Sequence, residues 1–192
     1  MATQDSRIKV KRSTVSGTVP TVAPSTDHTQ PTPAWSATDI YKGELFINQA
    51  DNVVWSRGDD GVFCIGGTAE LTIASADVLT LNSTPLTIVS AVSGYSIEVT
   101  SASVKIDFST TAYATNTFIQ LITNGATTAQ YGAAIINATV ATTKKLPEIS
   151  TTTATTTQLI ANADLQVSVK TGDPTAGDSN VTIFVNYRLI PA

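Results

Sequence analysis

Apolar and polar residues alternate with a period of two along most of this chain after Gly43, and show no period before it. Gly43-Glu44-Leu45-Phe46-Ile47-Asn48 alternates, Asn48 to Asn52 reads as a turn, and Val53-Val54-Trp55 reads as the return strand. Gly58-Asp59-Asp60-Gly61 is a second turn, leading into a third strand that ends near Ile65. Gly66-Gly67 then marks a flexible joint. Further strand signals recur at Leu71–Ile73, Val78–Leu81, Leu86–Val89, Tyr95–Val99, Val104–Phe108, Thr117–Ile122, Gly132–Ile136, Leu165–Lys170 and Val181–Leu189. Roughly eight strands in about 120 residues is the density of a β-sandwich or jelly roll. A short helix is expected only near Ala126–Tyr131. The Gly/Pro/Asp loop from Thr171 to Asn180 predicts an antiparallel pairing of the last two strands.

The expected fold is all-β in three parts. Residues 1–40 form an extended arm, residues 41–67 a small β-hairpin connector, and residues 68–192 an antiparallel, jelly-roll-like β-sandwich head. The arm holds Pro20, Pro24, Pro31 and Pro33, four of the 8 prolines, among Thr, Ser and Ala. It has too little apolar surface to offset its ordering cost and is expected to order on a partner. Trp35 is its one large apolar group, a candidate to tuck against the hairpin. Ile8, Val10 and Val15 could add as a strand to another sheet. The connector is too short to hold a core of its own.

Composition strengthens the β reading. Hydrophobic residues make up 42% of the chain and charged ones only 14%. Thr, at about a sixth of the sequence, fills the polar positions and suits strands with one wet face. The run from Thr139 to Thr157 reads as an exposed loop leading into a strand. A net charge of −4 argues against a nucleic-acid partner, which needs a basic surface. Basic residues cluster once, at Arg7, Lys9, Lys11 and Arg12, as a solvated tail or an anchor on an acidic partner. No apolar run near the start resembles a signal peptide, and none is long enough to insert in a membrane.

Catalytic chemistry finds little support. The one histidine, His28, lies in the Pro-rich arm without a pocket or orienting partner. The one cysteine, Cys64, sits between Phe63 and Ile65 and reads as a small core residue. It can form no intrachain disulfide, and the usual zinc ligand sets are absent. Asp59, Asp60, Asp173 and Asp178 all lie in Gly-flanked turns, where Asp bonds its own backbone. No catalytic residue, metal site or cofactor is expected; Ca²⁺ at the Asp173/Asp178 loop is left open. Tyr95, Tyr113 and Tyr131 are candidate aromatic platforms for a glycan.

Arg12-Ser13-Thr14-Val15-Ser16-Gly17-Thr18-Val19-Pro20-Thr21, followed by Gly43-Glu44-Leu45-Phe46-Ile47-Asn48 and Asp51-Asn52-Val53-Val54-Trp55, resembles the N-terminal attachment module of tailed-bacteriophage fibre proteins. There a segment of type KRS-x-x-x-G-x-x-P-T leads into GEL-x-IN-x-x-D and a hairpin. Here the Pro/Thr stretch 22–40 separates the two halves. The last loop and strand, from Thr171 to Tyr187, resemble the small β heads of such fibres. The resemblance implies a homotrimeric structural protein of the virion surface, made in the host bacterial cytoplasm. Its short chain, without coiled-coil heptads or a long shaft, favours a head (capsid) fibre or decoration protein. The arm, with Arg7, Lys9, Lys11, Arg12, Val15 and Pro20, would anchor it to the major capsid or another virion protein. Phe46, Ile47, Val54, Trp55 and Phe63 would line a threefold connector, the other copies supplying the missing core. Host-surface or mucin glycans are the further expected partners. A tail-associated receptor-binding fibre is the alternative, and a polysaccharide hydrolase a more distant one.

Overall fold

The alternation in the sequence is realised as an all-β protein. The computed structural model describes residues 10–23, 36–149 and 159–192. His28 and Trp35 lie outside the described residues, as do Arg7, Lys9 and residues 150–157 of the Thr-rich run; within its described part Thr142–Leu146 form a strand where a loop was expected. The chain divides into two compact units, residues 1–66 and 67–192.

The described strands of the first unit are β1 (Lys11–Ser13), β2 (Thr21–Val22), β3 (Asp39–Ile40), β4 (Leu45–Asn48), β5 (Val53–Arg57) and the first part of β6 (Val62–Ile73). β4 and β5 form an antiparallel hairpin with Phe46 opposite Trp55. Asn52, at φ 53°, turns the chain between them, a conformation that Asn tolerates. β1 adds to β4 in parallel, Arg12 opposite Ile47, and β2 pairs in parallel with β3. The arm therefore orders on its own chain over residues 10–23, where a separate partner was expected. Phe46, Val53 and Trp55 are buried, together with Pro20, Ala23, Ile40 and Tyr41. The connector has a core of its own because the arm contributes residues to it.

β6 carries the chain into the second unit. β6 continues through Gly66-Gly67, where the sequence suggested that the strand ends. A methyl group on Gly67 would stand 2.7 Å from Tyr187 Cζ, so the glycine makes room for a buried ring. Then come α1 (Ser75–Val78), β7 (Leu86–Val89), β8 (Tyr95–Asp107), β9 (Phe118–Thr123), β10 (Tyr131–Ala134), β11 (Thr142–Leu146), β12 (Leu165–Val169) and β13 (Asn180–Pro191). The helix falls at Ser75–Val78 rather than Ala126–Tyr131, and Leu79–Leu81 are turn residues although their spacing suggested a strand. Val78 and Leu81 are both wholly buried, so their apolar character reflects a tucked turn.

The pairings of this unit are nested. β6 pairs with β13, β7 with β12, β8 with β11 and β9 with β10, all antiparallel. First-with-last nesting of eight strands describes one long double ribbon folded over itself. The first and third pairs fall in one sheet, joined by β13 on β8, and the second and fourth in the other, joined by β12 on β9. This is the strand order of a jelly roll. The last two strands, β12 and β13, therefore belong to different sheets and do not pair. The 171–180 loop crosses between the sheets. Buried residues come from both: Val104, Ile106, Val181, Ile183 and Val185 from one, Ile119, Leu121, Leu165, Val167 and Val169 from the other.

Candidate functional site

The two halves of the attachment-like motif are bonded to one another in the first unit. Asp51, in the turn after β4, accepts from Ser16 Oγ at 2.6 Å and from the Gly17 N–H at 2.7 Å. Gly17 has φ +73°, which presents its N–H to that carboxylate. Buried Asn48 donates through Nδ2 to the carbonyls of Val15 (3.1 Å) and Thr18 (3.2 Å), and to Asp51 (2.6 Å). The Gln49 N–H donates to the Ser13 carbonyl at 2.8 Å, extending the β1–β4 pair. Residues 13–18 thus form a preformed loop clasped by the Asn48–Asp51 turn.

A second clasp lies at Asp39. Its buried carboxylate accepts from Thr21 Oγ1 at 2.5 Å and from the Ser36 N–H at 2.6 Å. Burial alone would raise this carboxyl. The bonds from Thr21 and Ser36, with the Lys11 charge, outweigh it and hold the group below its usual range. Lys11 donates to the Asp39 carbonyl, stands 3.7 Å from Glu44 Oε2 and lies 5.7 Å above the Tyr41 ring. Glu44 accepts from the Tyr41 N–H at 2.9 Å, and Arg57 donates to the Ile40 carbonyl at 2.9 Å.

This geometry divides the expected anchor residues. Lys11 and Pro20 are used internally: Lys11 is half-buried in the Asp39–Glu44 cluster and Pro20 is buried. Arg12 is exposed, and Val15 is 67% exposed at the tip of the clasped loop. The expected connector residues divide too. Phe46 and Trp55 are each 1% exposed inside one chain, so neither is open to a neighbouring copy. Ile47 and Val54 are half-exposed and Phe63 is 50% exposed.

In the second unit Tyr113 is 2% exposed and cannot serve as a glycan platform. Its hydroxyl donates to the Ser179 carbonyl at 2.6 Å, fixing the crossing loop. Burial and the nearby Asp178 carboxylate push this phenol up to about 12. The unfolded value is 10.0, so the resulting stability is complete below pH 10 and is lost as pH rises through about 12. Over that window the fold should lose on the order of 1–3 kcal/mol. Thermal midpoints of the wild type and Tyr113→Phe between pH 9 and pH 12 should therefore converge, the wild type falling more steeply; parallel curves would refute the assignment.

Tyr95 is half-buried, and Tyr131 is half-exposed. Tyr131 lines a small cleft of about 120 Å³ with Glu98, Val99, Gln130, Glu148 and Leu159. Its hydroxyl donates to the Thr100 carbonyl at 3.2 Å, and partial burial with the Glu148 and Glu98 charges raises its titration. Gln130 is buried and fully used: it accepts from the Val99 N–H and donates to the Ile97 carbonyl and Thr123 Oγ1. The carboxylates considered for catalysis hold loops together. Asp173 accepts from the Ser83 and Asn82 N–H groups, and Asp178 from Thr110 Oγ1 and the Thr111 and Thr110 N–H groups; these bonds lower both carboxyls. Asp59 is lowered by its ion pair with Lys42. Cys64 is half-buried on β6. Among the described residues, no three His, Cys, Asp or Glu side chains gather as a metal ion would require.

Asn48, Asp51, Asp39 and Glu44, which make the bonds of the two clasps, were not singled out by role in sequence reasoning. The GEL-x-IN-x-x-D spacing carries three of them, but their partners lie across the 22–40 stretch. No family model, curated protein or solved structure matches this chain.

Proposed function

We propose that this chain is a structural virion protein: a homotrimeric head (capsid) fibre or decoration protein of a tailed bacteriophage. Its N-terminal residues fix it to the major capsid or another virion protein, and its jelly-roll sandwich is displayed on the particle surface. The observation that supports this reading best is the mutual clasp of the two motif halves. An attachment element must pass force from the particle to the head. Here the arm is held by two parallel strand pairs, by Asp51 and Asn48, and by the buried Asp39. Arg12 and Val15 remain exposed.

In this reading the protein attaches and displays, without catalysis, nucleic-acid binding or membrane insertion. The low-charge, Thr-rich surface and the Tyr131 cleft suit weak glycan adhesion at most. That cleft, with two carboxylates beside an aromatic ring, is also what favours the second reading, a tail-associated receptor-binding fibre.

The test uses virions carrying the chain with residues 1–9 removed and Val15→Asp introduced, with Arg12 unchanged. The Val15 side chain is 67% exposed, and only its backbone takes part in the clasp. The variant should accumulate in cells with an unchanged melting profile and be missing from purified particles. Incorporation at wild-type levels would refute the anchoring role, and absence of the wild-type chain from particles would refute the virion reading altogether.

A further inference from the structure

One face of the hairpin sheet in the first unit is covered by the chain itself, and the other is open. Lys11 pairs opposite Phe46, so it shares that residue's face, and there it meets Asp39 and Tyr41. The opposite face carries Arg12, Ile47 and Val54 in one cross-strand row, and Leu45 in the next. The Gly58 N–H donates to the Gly61 carbonyl at 2.9 Å and closes the second turn. Continuing that pairing sets Arg57 opposite Val62, so Phe63 falls beside Ser56 and Ile65 beside Val54, on this same open face. Leu45, Ile47 and Val54 are half-exposed; Phe63 and Ile65 are 50% and 53% exposed. Five large apolar side chains on one face form a patch rather than the scattered single exposures normal for a surface.

We infer that this open face is where copies of the chain meet, and that they meet head to tail in a closed ring. Charge placement selects a second copy as the occupant. The patch itself is uncharged, so a charged or strongly hydrated ligand would gain nothing over its centre. Its two ends differ in net sign, because at the second Lys42 is paired with Asp59 and leaves Asp60 in excess. Exposed Arg12 stands on β1 at one edge of the first unit's strand order β1-β4-β5-β6, and exposed Asp60 stands in the turn leading into β6 at the other. The positive edge of one copy therefore complements the negative edge of the next. A contact between two different edges is heterologous, and it closes into a ring where the rotation between successive copies divides a full turn. The number three rests on the fibre reading above; the face and its polarity do not. The copies meet through Ile47, Val54 and Phe63, while Phe46 and Trp55 stay inside each chain.

Sedimentation of the full-length chain tests this. The wild type should run at three times its 20.0 kDa mass. The Phe63→Glu, Ile65→Glu double variant should run as a monomer with its second unit's melting unchanged. Because those changes could disturb the hairpin, the exposed charges give an independent arm. Arg12→Glu and Asp60→Lys should each weaken assembly by roughly tenfold, and the two together should restore it. An Arg12→Cys, Asp60→Cys chain in a Cys64→Ser background should cross-link between chains on oxidation, stopping at the ring size. A wild-type trimer untouched by any of these changes would overturn this surface and leave the fibre reading standing. A wild-type monomer at micromolar concentration would overturn both the ring and the trimer.

Discussion

Gly177→Ala should lower the melting temperature of the second unit by roughly 10 °C, a loss of about 3 kcal/mol. Two effects act together. Gly177 has φ +95°, a conformation that L residues with a Cβ rarely adopt. An added methyl group would also stand inside the contact distance of Tyr113 Cδ1, Cε1 and Cγ. That ring cannot move away, because it is buried and its hydroxyl is bonded to the Ser179 carbonyl. The loop that crosses between the sheets would have to shift, and the Asp178 bonds to Thr110 and Thr111 would shift with it. Thermal unfolding followed by far-ultraviolet circular dichroism measures the effect. A change of less than about 2 °C, which corresponds to under 1 kcal/mol, would show that the loop yields freely.

Removing residues 1–23 should unfold the hairpin unit instead of merely detaching an arm. The deletion takes away β1, β2, Pro20 and Ala23, and so uncovers the side on which Phe46 and Trp55 are buried. Re-exposing those two aromatic side chains costs about 4 kcal/mol, comparable to the stability of a small unit. Both tryptophans of the chain fall within residues 1–66, so in a Trp35→Phe background the fluorescence of Trp55 reports this unit alone. Its emission should shift to the red on deletion, while the second unit keeps its melting transition. Asp51→Ala should act more mildly. It removes the acceptor for Ser16, Gly17 and Asn48, and the exchange protection of the loop at residues 13–18 should fall by roughly thirtyfold, equivalent to about 2 kcal/mol. An unshifted Trp55 emission in the deletion would mean that the hairpin needs no cover from the arm.

The all-β character and most strand positions were legible in the sequence, because period-two alternation is a local property. Asp59, Asp173 and Asp178 do stand in turns, but their carboxylates bond Lys42, Asn82 and Ser83, and Thr110 and Thr111 rather than their own turn backbone. The hairpin at Leu45–Arg57 and the final strand could be read almost residue by residue. Misreadings arose where a distant partner decides. Val78 and Leu81 have strand spacing but belong to a tucked turn. Gly66-Gly67 reads as the end of a strand, yet the second glycine is there for Tyr187, about 120 positions away in the chain. Tyr113 looks like a loop aromatic, and it is buried by a segment more than sixty residues later.

For the candidate attachment site, the sequence by itself determined which residue types stand in the two motif halves and that a turn follows β4. Only the tertiary structure decided what they do. Strand pairs such as β1 with β4 are parallel and must be joined by a long connection, so no local pattern announces them. The sequence marked Phe46, Ile47, Val54, Trp55 and Phe63 as one apolar set. The pleat divides them between two faces, and the arm's position over one of those faces decides which stays open. Burial depends on what lies against a face, and that is set by contacts between residues far apart in the chain.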